Sequence, residues 1–242
     1  MKELGKIYAH IPARGASKRV PAKNLRLLCG KPLISYAIEC AKNCKNFDDI
    51  FVNTDSDEIA SLAKAYGVSV YKRDPHLASD EAKGDDFTAD FIENTKPDTL
   101  VMISPVCPLI ESSDVDQAVK LFQSNTCDTL ITCQQTQMQT FCDGQSVNIS
   151  LAGGLAPSQQ NRVVKILNWA VTIWDSQIFL KNHRTENIGY IGKNRFLMPI
   201  PAFKGLKISH EEDFQMAEIL LKMRTQSLHQ DGPPPPQYWK DG

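Results

Sequence analysis

The sequence predicts an α/β fold in which helices cover both faces of a mostly parallel sheet. Two observations support this prediction. Apolar runs of strand length alternate with segments of helical periodicity, and each of the first four apolar runs is followed by a polar loop. A chain of 242 residues, 42% of them hydrophobic, is also long enough to bury a full core within one domain.

Nine elements alternate in the first half of the chain. Runs rich in β-branched residues predict strands, and runs with apolar residues three or four apart predict helices. In order they are strand KIYAHIPA, helix PLISYAIECAKNC, strand DIFVNTD, helix DEIASLAKAYG, strand VSVYKR, helix DFTADFIENT, strand DTLVMIS, helix SSDVDQAVKLFQS and strand DTLITCQ. This alternation predicts parallel strands joined by crossover helices.

The pattern changes between about residues 134 and 182. There SVNISLAGG, NRVVKIL and NWAVTIWD are typical of strands joined by turns rich in Gly, Pro and Gln. They indicate a β-rich arm inserted into a single domain of residues 1–224. The helical segment SHEEDFQMAEILLKMR follows, and a Pro-rich tail is expected at residues 225–242.

Positive charge is concentrated in the loop after the first strand, AHIPARGASKRVPAKN. Arg14, Lys18, Arg19 and Lys23 surround Gly15 there, and like charges repel. A solvated basic turn is one explanation, and a bound anion is the other. Loops that follow parallel strands share one rim of the sheet, where α/β folds bind ligands, and this convergence favours an anion-binding cleft.

The composition excludes several classes of protein. A formal net charge of −1 argues against binding to a nucleic-acid polymer, which needs a basic surface. Seven dispersed cysteines form no CxxC pair and predict reduced thiols. The first ten residues are charged where a signal peptide is apolar, and no run approaches about 18 apolar residues. We therefore expect a cytoplasmic protein that does not engage membranes.

Two long segments, IPARGASKRVPAKNLRLLCGKPLI and VNTDSDEIASLAKAYGVSVYKRDPHLASD, resemble the acylneuraminate cytidylyltransferase family. This family comprises the CMP-sialic acid synthetases and their relatives for other nonulosonic acids. The motif PARxxSKxxPxKN and the order of the TD, R and LAxD elements support the resemblance over residues 6–125, and it continues more loosely to about residue 220.

The resemblance implies a Rossmann-like nucleotidyltransferase fold and a reaction. An acceptor hydroxyl of an acidic sugar attacks the α-phosphate of CTP and pyrophosphate is released, so catalysis consists chiefly of positioning and charge neutralisation. The resemblance also implies a homodimer in which the arm pairs the two subunits. Two alternatives stay open: the same enzyme class with a different nucleotide or acceptor, and a nucleotide-binding homologue without catalysis.

Site residues follow from the resemblance. Arg14 and Lys18 are the catalytic candidates, and Arg73 belongs either to the nucleotide site or to a solvated loop. The acceptor candidates are Ser104, Gln159 and Asn168. The nucleotide-binding candidates are Ala13, Arg14, Gly15, Ser17, Lys18, Lys23, Asn24, Arg73, Ser79 and Asp80.

One departure from the family affects the acceptor. The family commonly has LQPTSPLR in the loop after the fourth strand, whereas this chain has ISPVCPLI. Ser104, Cys107 and Ile110 thus replace Gln, Ser and Arg, and the identity of the acceptor stays open.

A second departure affects the metal. The family usually has DIDTEED, whose first two acids help to hold magnesium, whereas this chain has KISHEED. Three outcomes are open: Lys207 supplies charge in place of a metal, Glu211 or Asp213 act as substitute ligands, or the site is weak. A capping role at the next helix explains the same acids without any ligand. Mg²⁺ brought in by the triphosphate is the expected cofactor.

Overall fold

The computed structural model describes residues 1–17, 19–152 and 154–227. Its elements follow the predicted alternation. In chain order they are β1 (Ile7–Pro12), β2 (Leu27–Leu28), β3 (Lys31–Pro32), α1 (Leu33–Lys42), β4 (Asp49–Thr54), α2 (Asp57–Ala65), β5 (Ser69–Lys72), α3 (Gly84–Thr95), β6 (Thr99–Ile103), α4 (Ser112–Ser124), β7 (Thr129–Thr136), β8 (Phe141–Cys142), β9 (Gln145–Ser146), β10 (Val164–Asp175), α5 (Ser176–Glu186), β11 (Arg195–Pro199) and α6 (Glu211–Ser227).

Seven strands form one central sheet in the order β11-β7-β10-β6-β1-β4-β5. β1 runs parallel to both β4 and β6, β4 is parallel to β5, and β7 is parallel to β11. β10 runs antiparallel to its two neighbours, β6 and β7. The predicted fold class, a mostly parallel sheet with flanking helices, is confirmed.

Alternate side chains of each strand enter two separate apolar layers, as the period of two in a strand requires. On β1, Ala9 and Ile11 are fully buried against α1, α2 and α4. On the other face, Tyr8 packs with α3 and α5, and Trp174 of β10 is fully buried in that layer. A third, smaller cluster joins α6 to α1 and the β2-β3 ribbon around Leu28 and Phe214.

The strand order reverses between β1 and β6. From β1 the chain proceeds outward through β4 to β5, and then returns to place β6 on the opposite side of β1. Ligands bind at such a switch point, beyond the carboxyl ends of the strands. The loops after β1 and β6 border the same crevice, as the sequence predicted.

The segment predicted as an arm differs from the prediction in extent. NRVVKIL and NWAVTIWD lie largely in one strand, β10, which is central to the sheet because it pairs with both β6 and β7. Of the described residues of SVNISLAGG, only Ser146 belongs to a strand, and α5 already begins at Ser176. The part outside the central sheet is therefore about residues 137–163 rather than 134–182.

Three further predictions can be placed. All seven cysteines are free thiols. No helix within the described ranges is long and apolar enough to cross a membrane. α6 continues to Ser227, and the rest of the predicted tail, residues 228–242, lies outside the described residues, as does Lys18.

Candidate nucleotide-binding site

A cleft of about 540 Å³ lies at the switch point between β1 and β6. One side, here called the basic wall, is the loop from Ala13 to Asn24. The opposite side, here called the aromatic wall, is formed by the loop Ser104–Val106 with Trp169 and Tyr190. The lining residues are Pro12, Arg14, Ala16, Ser17, Arg19, Lys23, Asn24, Met102, Ser104, Pro105, Val106, Trp169, Tyr190 and Lys207.

Hydrogen bonds to neighbouring elements hold the basic wall in place. The buried Ala13 donates its amide to Asn53 O at 2.9 Å, and Gly15 donates its amide to Asp55 Oδ1 at 2.9 Å. A Cβ on Gly15 would lie 2.9 Å from Ser56 Cβ, so glycine permits the close approach of the loop to α2. These contacts hold the backbone on either side of Arg14, from which its cationic side chain extends.

Asn24 closes the loop from its far end. Its Nδ2 donates to Arg14 O at 3.0 Å, and the residue is buried. Its Oδ1 is also buried and has no hydrogen-bond partner in the described part of the protein. A buried acceptor without a donor is costly, which marks Asn24 as a place where a ligand hydroxyl or amine would be stabilised.

Among the described residues, four cations line the cleft: Arg14, Arg19, Lys23 and Lys207. Lys23 donates from Nζ to Ile208 O at 2.8 Å. Burial, followed by the charges of Arg19, Lys207 and Arg14, lowers the pKa of Lys23. None of the described lining residues is acidic. The cleft therefore concentrates positive charge that only an anion can offset.

Ser79 and Asp80 meet the basic wall from outside the cleft. Asp80 Oδ1 lies 3.0 Å from Arg14 Nη1, and Ser79 O accepts from the same nitrogen at 3.4 Å. The loop after β5 thus converges on the loop after β1, as predicted. Both side chains of the ion pair are more than one-third exposed, so the pair contributes little to stability.

Arg73 is not part of the cleft lining. It is buried, donates from Nε to Asn53 Oδ1 at 2.7 Å, and stacks its guanidinium 4.3 Å from the ring centre of Phe87. Burial lowers the pKa of Arg73 to about 10, so it keeps its charge at neutral pH. Asn53 also contacts the fully buried His10, whose Nε2 lies 3.0 Å from Asn53 Nδ2. Through these hydrogen bonds to Asn53, Arg73 stabilises the end of β4 next to the cleft.

The aromatic wall depends on an irregularity in β10. The pairing register with β7 shifts between Leu167 and Thr172, and within this bulge Trp169 has a φ of +58°. A left-handed conformation is strained for a bulky side chain, and such strain is concentrated at functional sites. The bulge directs Trp169 to Tyr190, with 5.2 Å between the ring centres.

Tyr190 is held by three contacts. Its amide donates to Asp85 Oδ1 at 2.8 Å, its carbonyl accepts from Trp174 Nε1 at 2.8 Å, and its hydroxyl lies 3.1 Å from Met102 Sδ. Burial and the charge of Asp85 raise the pKa of Tyr190, so its hydroxyl stays protonated at neutral pH. The wall is therefore rigid, apolar and neutral.

The acceptor candidates are separated by the structure. Ser104 lines the cleft, and its amide donates to Ala170 O at 2.9 Å. Asn168 lies in the bulge, where its Oδ1 accepts from Thr132 Oγ1 at 2.7 Å and its buried Nδ2 packs against Gly205. Gln159 is exposed in a 3₁₀ turn, Ser158–Gln160, on the segment outside the sheet. Of the three, only Ser104 is in the lining.

The two weak metal candidates have other contacts. Glu211 is paired with Arg26 through two hydrogen bonds of 2.5 and 2.6 Å. Asp213 accepts from the amides of Ser209 and His210, each at 2.8 Å, and so stabilises the start of α6. Neither residue is in the cleft lining, and no cluster of three or more His, Cys, Asp or Glu suited to a metal ion occurs among the described residues. These side chains do not fit a protein-held magnesium ion.

Nine of the described lining residues were not among the predicted site residues, and four of these nine carry a charge or an aromatic ring: Arg19, Trp169, Tyr190 and Lys207. Arg19 and Lys207 had a visible signal, since both stand in segments that the resemblance singled out. Trp169 stands in the segment predicted as an arm, so its sequence position did not indicate the cleft. Tyr190 had no local signal, because it follows α5 and reaches the cleft only through tertiary packing.

A doubly wound sheet with a basic cleft at its switch point is the arrangement of an α/β nucleotidyltransferase. Residues 9–223 match the model of the cytidylyltransferase family. The chain belongs to that family, and the predicted resemblance and enzyme class are confirmed.

Two relatives match nearly the whole chain. Post-translational flagellin modification protein B of Campylobacter coli is 32% identical over 90% of this chain and 96% of its own length. CMP-N,N'-diacetyllegionaminic acid synthase of Campylobacter jejuni is 30% identical over 93% of this chain and 98% of its own. A solved CMP:2-keto-3-deoxy-manno-octonic acid synthetase in complex with CTP superposes with a TM-score of 0.68 at 16% identity, over 90% of this chain and 99% of that one. At that identity the superposition supports the fold alone.

Proposed function

We propose that the protein transfers CMP from CTP to the hydroxyl of an acidic sugar of the nonulosonic acid class, with release of pyrophosphate. The observation that supports this most directly is the cleft at the switch point, where four cations meet and no described lining residue is acidic. A triphosphate is the common metabolite group with matching charge density. The name of the Campylobacter jejuni relative, a CMP-N,N'-diacetyllegionaminic acid synthase, supports the acceptor class.

In this proposal the basic wall binds the triphosphate. Arg14, Lys18 and Lys23 offset the phosphate charge, and the pyrophosphate leaves as the acceptor oxygen forms its bond to the α-phosphorus. The acceptor hydroxyl loses its proton to solvent water in the same process. Preorganised cations act most strongly where charge develops on the transferring group, so positioning and charge neutralisation supply the catalysis. Asn24 accepts a hydrogen bond from the nucleoside through its unpartnered Oδ1.

The aromatic wall binds the acceptor in this proposal. Trp169 and Tyr190 offer flat apolar surfaces to a sugar ring, and Ser104 offers a hydroxyl beside them.

Two of the residues that depart from the family pattern are unsuited to contact an acceptor. Cys107 and Ile110 are both buried, and burial raises the pKa of Cys107 to about 11, so it stays a neutral thiol.

Mg²⁺ is proposed as a counter-ion that arrives with the triphosphate. The contacts of Glu211 and Asp213 support this form of the proposal, because both carboxylates are already used by Arg26 and by the start of α6. The protein's own part in the reaction is then the set of fixed cations.

Pyrophosphate release tests the proposal directly. The enzyme is incubated with each of the four nucleoside triphosphates and a panel of acidic sugars that includes sialic, legionaminic and 3-deoxy-octulosonic acids. We expect release with CTP and a nine-carbon acid. Release with another nucleotide or another acceptor class would favour the alternative within the same enzyme class. Nucleotide binding without release across the whole panel would favour a non-catalytic homologue.

A homodimer is the second part of the proposal. The segment outside the central sheet exposes large apolar side chains, among them Met138, Leu151 and Leu155, which are 76%, 70% and 69% exposed. Apolar surface of this kind is typical of a subunit contact. Sedimentation at micromolar concentration should give twice the mass of the chain, and a monomer there would contradict the assignment. Replacing Leu151 and Leu155 with Ser should shift the equilibrium toward monomer.

A further inference from the structure

Lys207 enters the cleft from a loop far along the chain from the basic wall. The residue after it, Ile208, is fully buried and holds this loop through both of its backbone groups. Its amide donates to Val106 O at 2.9 Å, and its carbonyl accepts from Lys23 Nζ at 2.8 Å. The backbone at Lys207 is therefore tied to both walls of the cleft.

The charge of Lys207 acts on the same space as the other three cations. It is among the charges that lower the pKa of Lys23, together with Arg19 and Arg14. Four mutually repelling cations are unfavourable in an empty cleft. Asp80 offsets part of the charge of Arg14 from outside the cleft, but no described lining residue is acidic, so the arrangement favours a ligand of high negative charge.

The described residues include no cluster of three or more acidic, His or Cys side chains that would hold a divalent cation. Glu211 and Asp213 are held by Arg26 and by the amides of Ser209 and His210. A divalent cation placed near Lys207 would be repelled, whereas a phosphate oxygen would be attracted. The cleft is thus built for direct contact between side-chain cations and phosphate.

We propose, on the basis of the proposed function, that Lys207 binds a phosphate group. Its ammonium group then supplies the positive charge that a protein-held metal ion would otherwise supply. The nucleotide then binds with or without a metal ion, because the charges of Arg14, Arg19, Lys23 and Lys207 suffice to hold the triphosphate. Any metal ion on the nucleotide is carried by the phosphates and is not required for binding.

Isothermal titration of CTP in EDTA tests this assignment. Wild-type protein binds metal-free CTP, and Lys207→Ala weakens that binding roughly tenfold or more, as expected for loss of a charge-assisted contact. Lys207→Arg keeps the charge and binds close to wild type. Lys207→Asp loses binding in EDTA and regains part of it with Mg²⁺, because it adds a carboxylate of the type that magnesium prefers.

Lys120→Ala is the matched control, since Lys120 is exposed on α4 and does not line the cleft. It removes the same charge and leaves CTP binding unchanged. Thermal unfolding of each ligand-free variant checks that it folds. The assignment is overturned if wild type releases pyrophosphate yet binds CTP only with Mg²⁺, or if Lys207→Ala binds metal-free CTP as wild type does. Absence of CTP binding to wild type under both conditions would instead refute the proposed function.

Discussion

The two walls of the cleft are built in different ways. The basic wall is one continuous loop, Ala13–Asn24, and hydrogen bonds from Gly15 and Asn24 hold its backbone. The aromatic wall gathers Ser104, Trp169 and Tyr190 from three separate places in the chain. The functional side chains of a wall made from one loop lie close together in the sequence, as a short motif. Those of a wall made from several elements come together only through the packing of the whole sheet.

This contrast suggests a division of labour. In the proposed function the basic wall meets the phosphates, which are the same for every acceptor, and hydrogen bonds tie its backbone to the scaffold. The aromatic wall is proposed to face the acceptor, and its geometry depends on a strained bulge in β10. Loops and bulges of this kind change readily while a scaffold persists, so acceptor choice can vary on a constant nucleotide site.

The largest expected effect falls on the basic wall. Arg14→Ala and Lys18→Ala should each weaken CTP binding roughly tenfold or more, since a charge-assisted contact contributes about 1.5 to 3 kcal/mol. The KM for the acceptor should change little if the walls act separately. Calorimetry gives the CTP affinity and steady-state kinetics give the KM, with Lys120→Ala as control. Unchanged CTP affinity in both variants would remove the basic wall from the nucleotide site.

A smaller effect is expected where the bulge contacts the loop that contains Lys207. A Cβ added at Gly205 would lie 2.2 Å from Asn168 Nδ2, inside contact distance. Gly205→Ala should therefore destabilise the protein by about 1 to 3 kcal/mol in thermal unfolding. Combining it with Asn168→Ala should recover part of that loss, giving a favourable coupling in a double-mutant cycle. Simple additivity of the two changes would show that this contact does not couple the bulge to the loop that contains Lys207.

The same contrast explains how far the sequence predicts the molecule. The alternation of strands and helices was predictable because each element has its own period, and α4 begins and ends where its pattern does. Arg14, Lys23 and Asn24 were predictable because one loop contains them. The continuity of β10 was missed since its bulge interrupts the period of two, and Tyr190 was missed because only tertiary packing brings it to the cleft. Arg73 was predicted either in the nucleotide site or in a solvated loop, and the charge of its loop did not reveal that it is buried outside the cleft lining.

A third prediction separates the two roles of Trp169, its ring and its backbone conformation. Trp169→Ala and Trp169→Gly both remove the ring and should raise the acceptor KM equally, with CTP affinity unchanged. Only glycine adopts the φ of +58° without strain, so the Gly variant should be the more stable by about 1 kcal/mol. Chemical denaturation compares the two variants. A loss of CTP affinity in both would place the nucleoside, rather than the acceptor, on the aromatic wall.

The smallest effect is a pH dependence that originates at Lys23. Burial and the charges of Arg19, Lys207 and Arg14 lower its pKa below the ordinary value of 10.5. Bound phosphates favour the charged form and raise that pKa again, so binding takes up a proton between the two values. CTP affinity should therefore fall as the pH rises through the lowered pKa of Lys23.

The stability of the ligand-free protein should change in the opposite direction over the same range. The unfolded chain holds the Lys23 proton more tightly than the folded protein does, so the free energy of unfolding rises as the pH increases from the lowered pKa toward 10.5. Lys23→Arg stays charged throughout and should abolish both slopes. Titration calorimetry and thermal unfolding across this range measure the two trends. If the affinity of the Arg variant fell with pH as steeply as that of wild type, the dependence would have to come from another group.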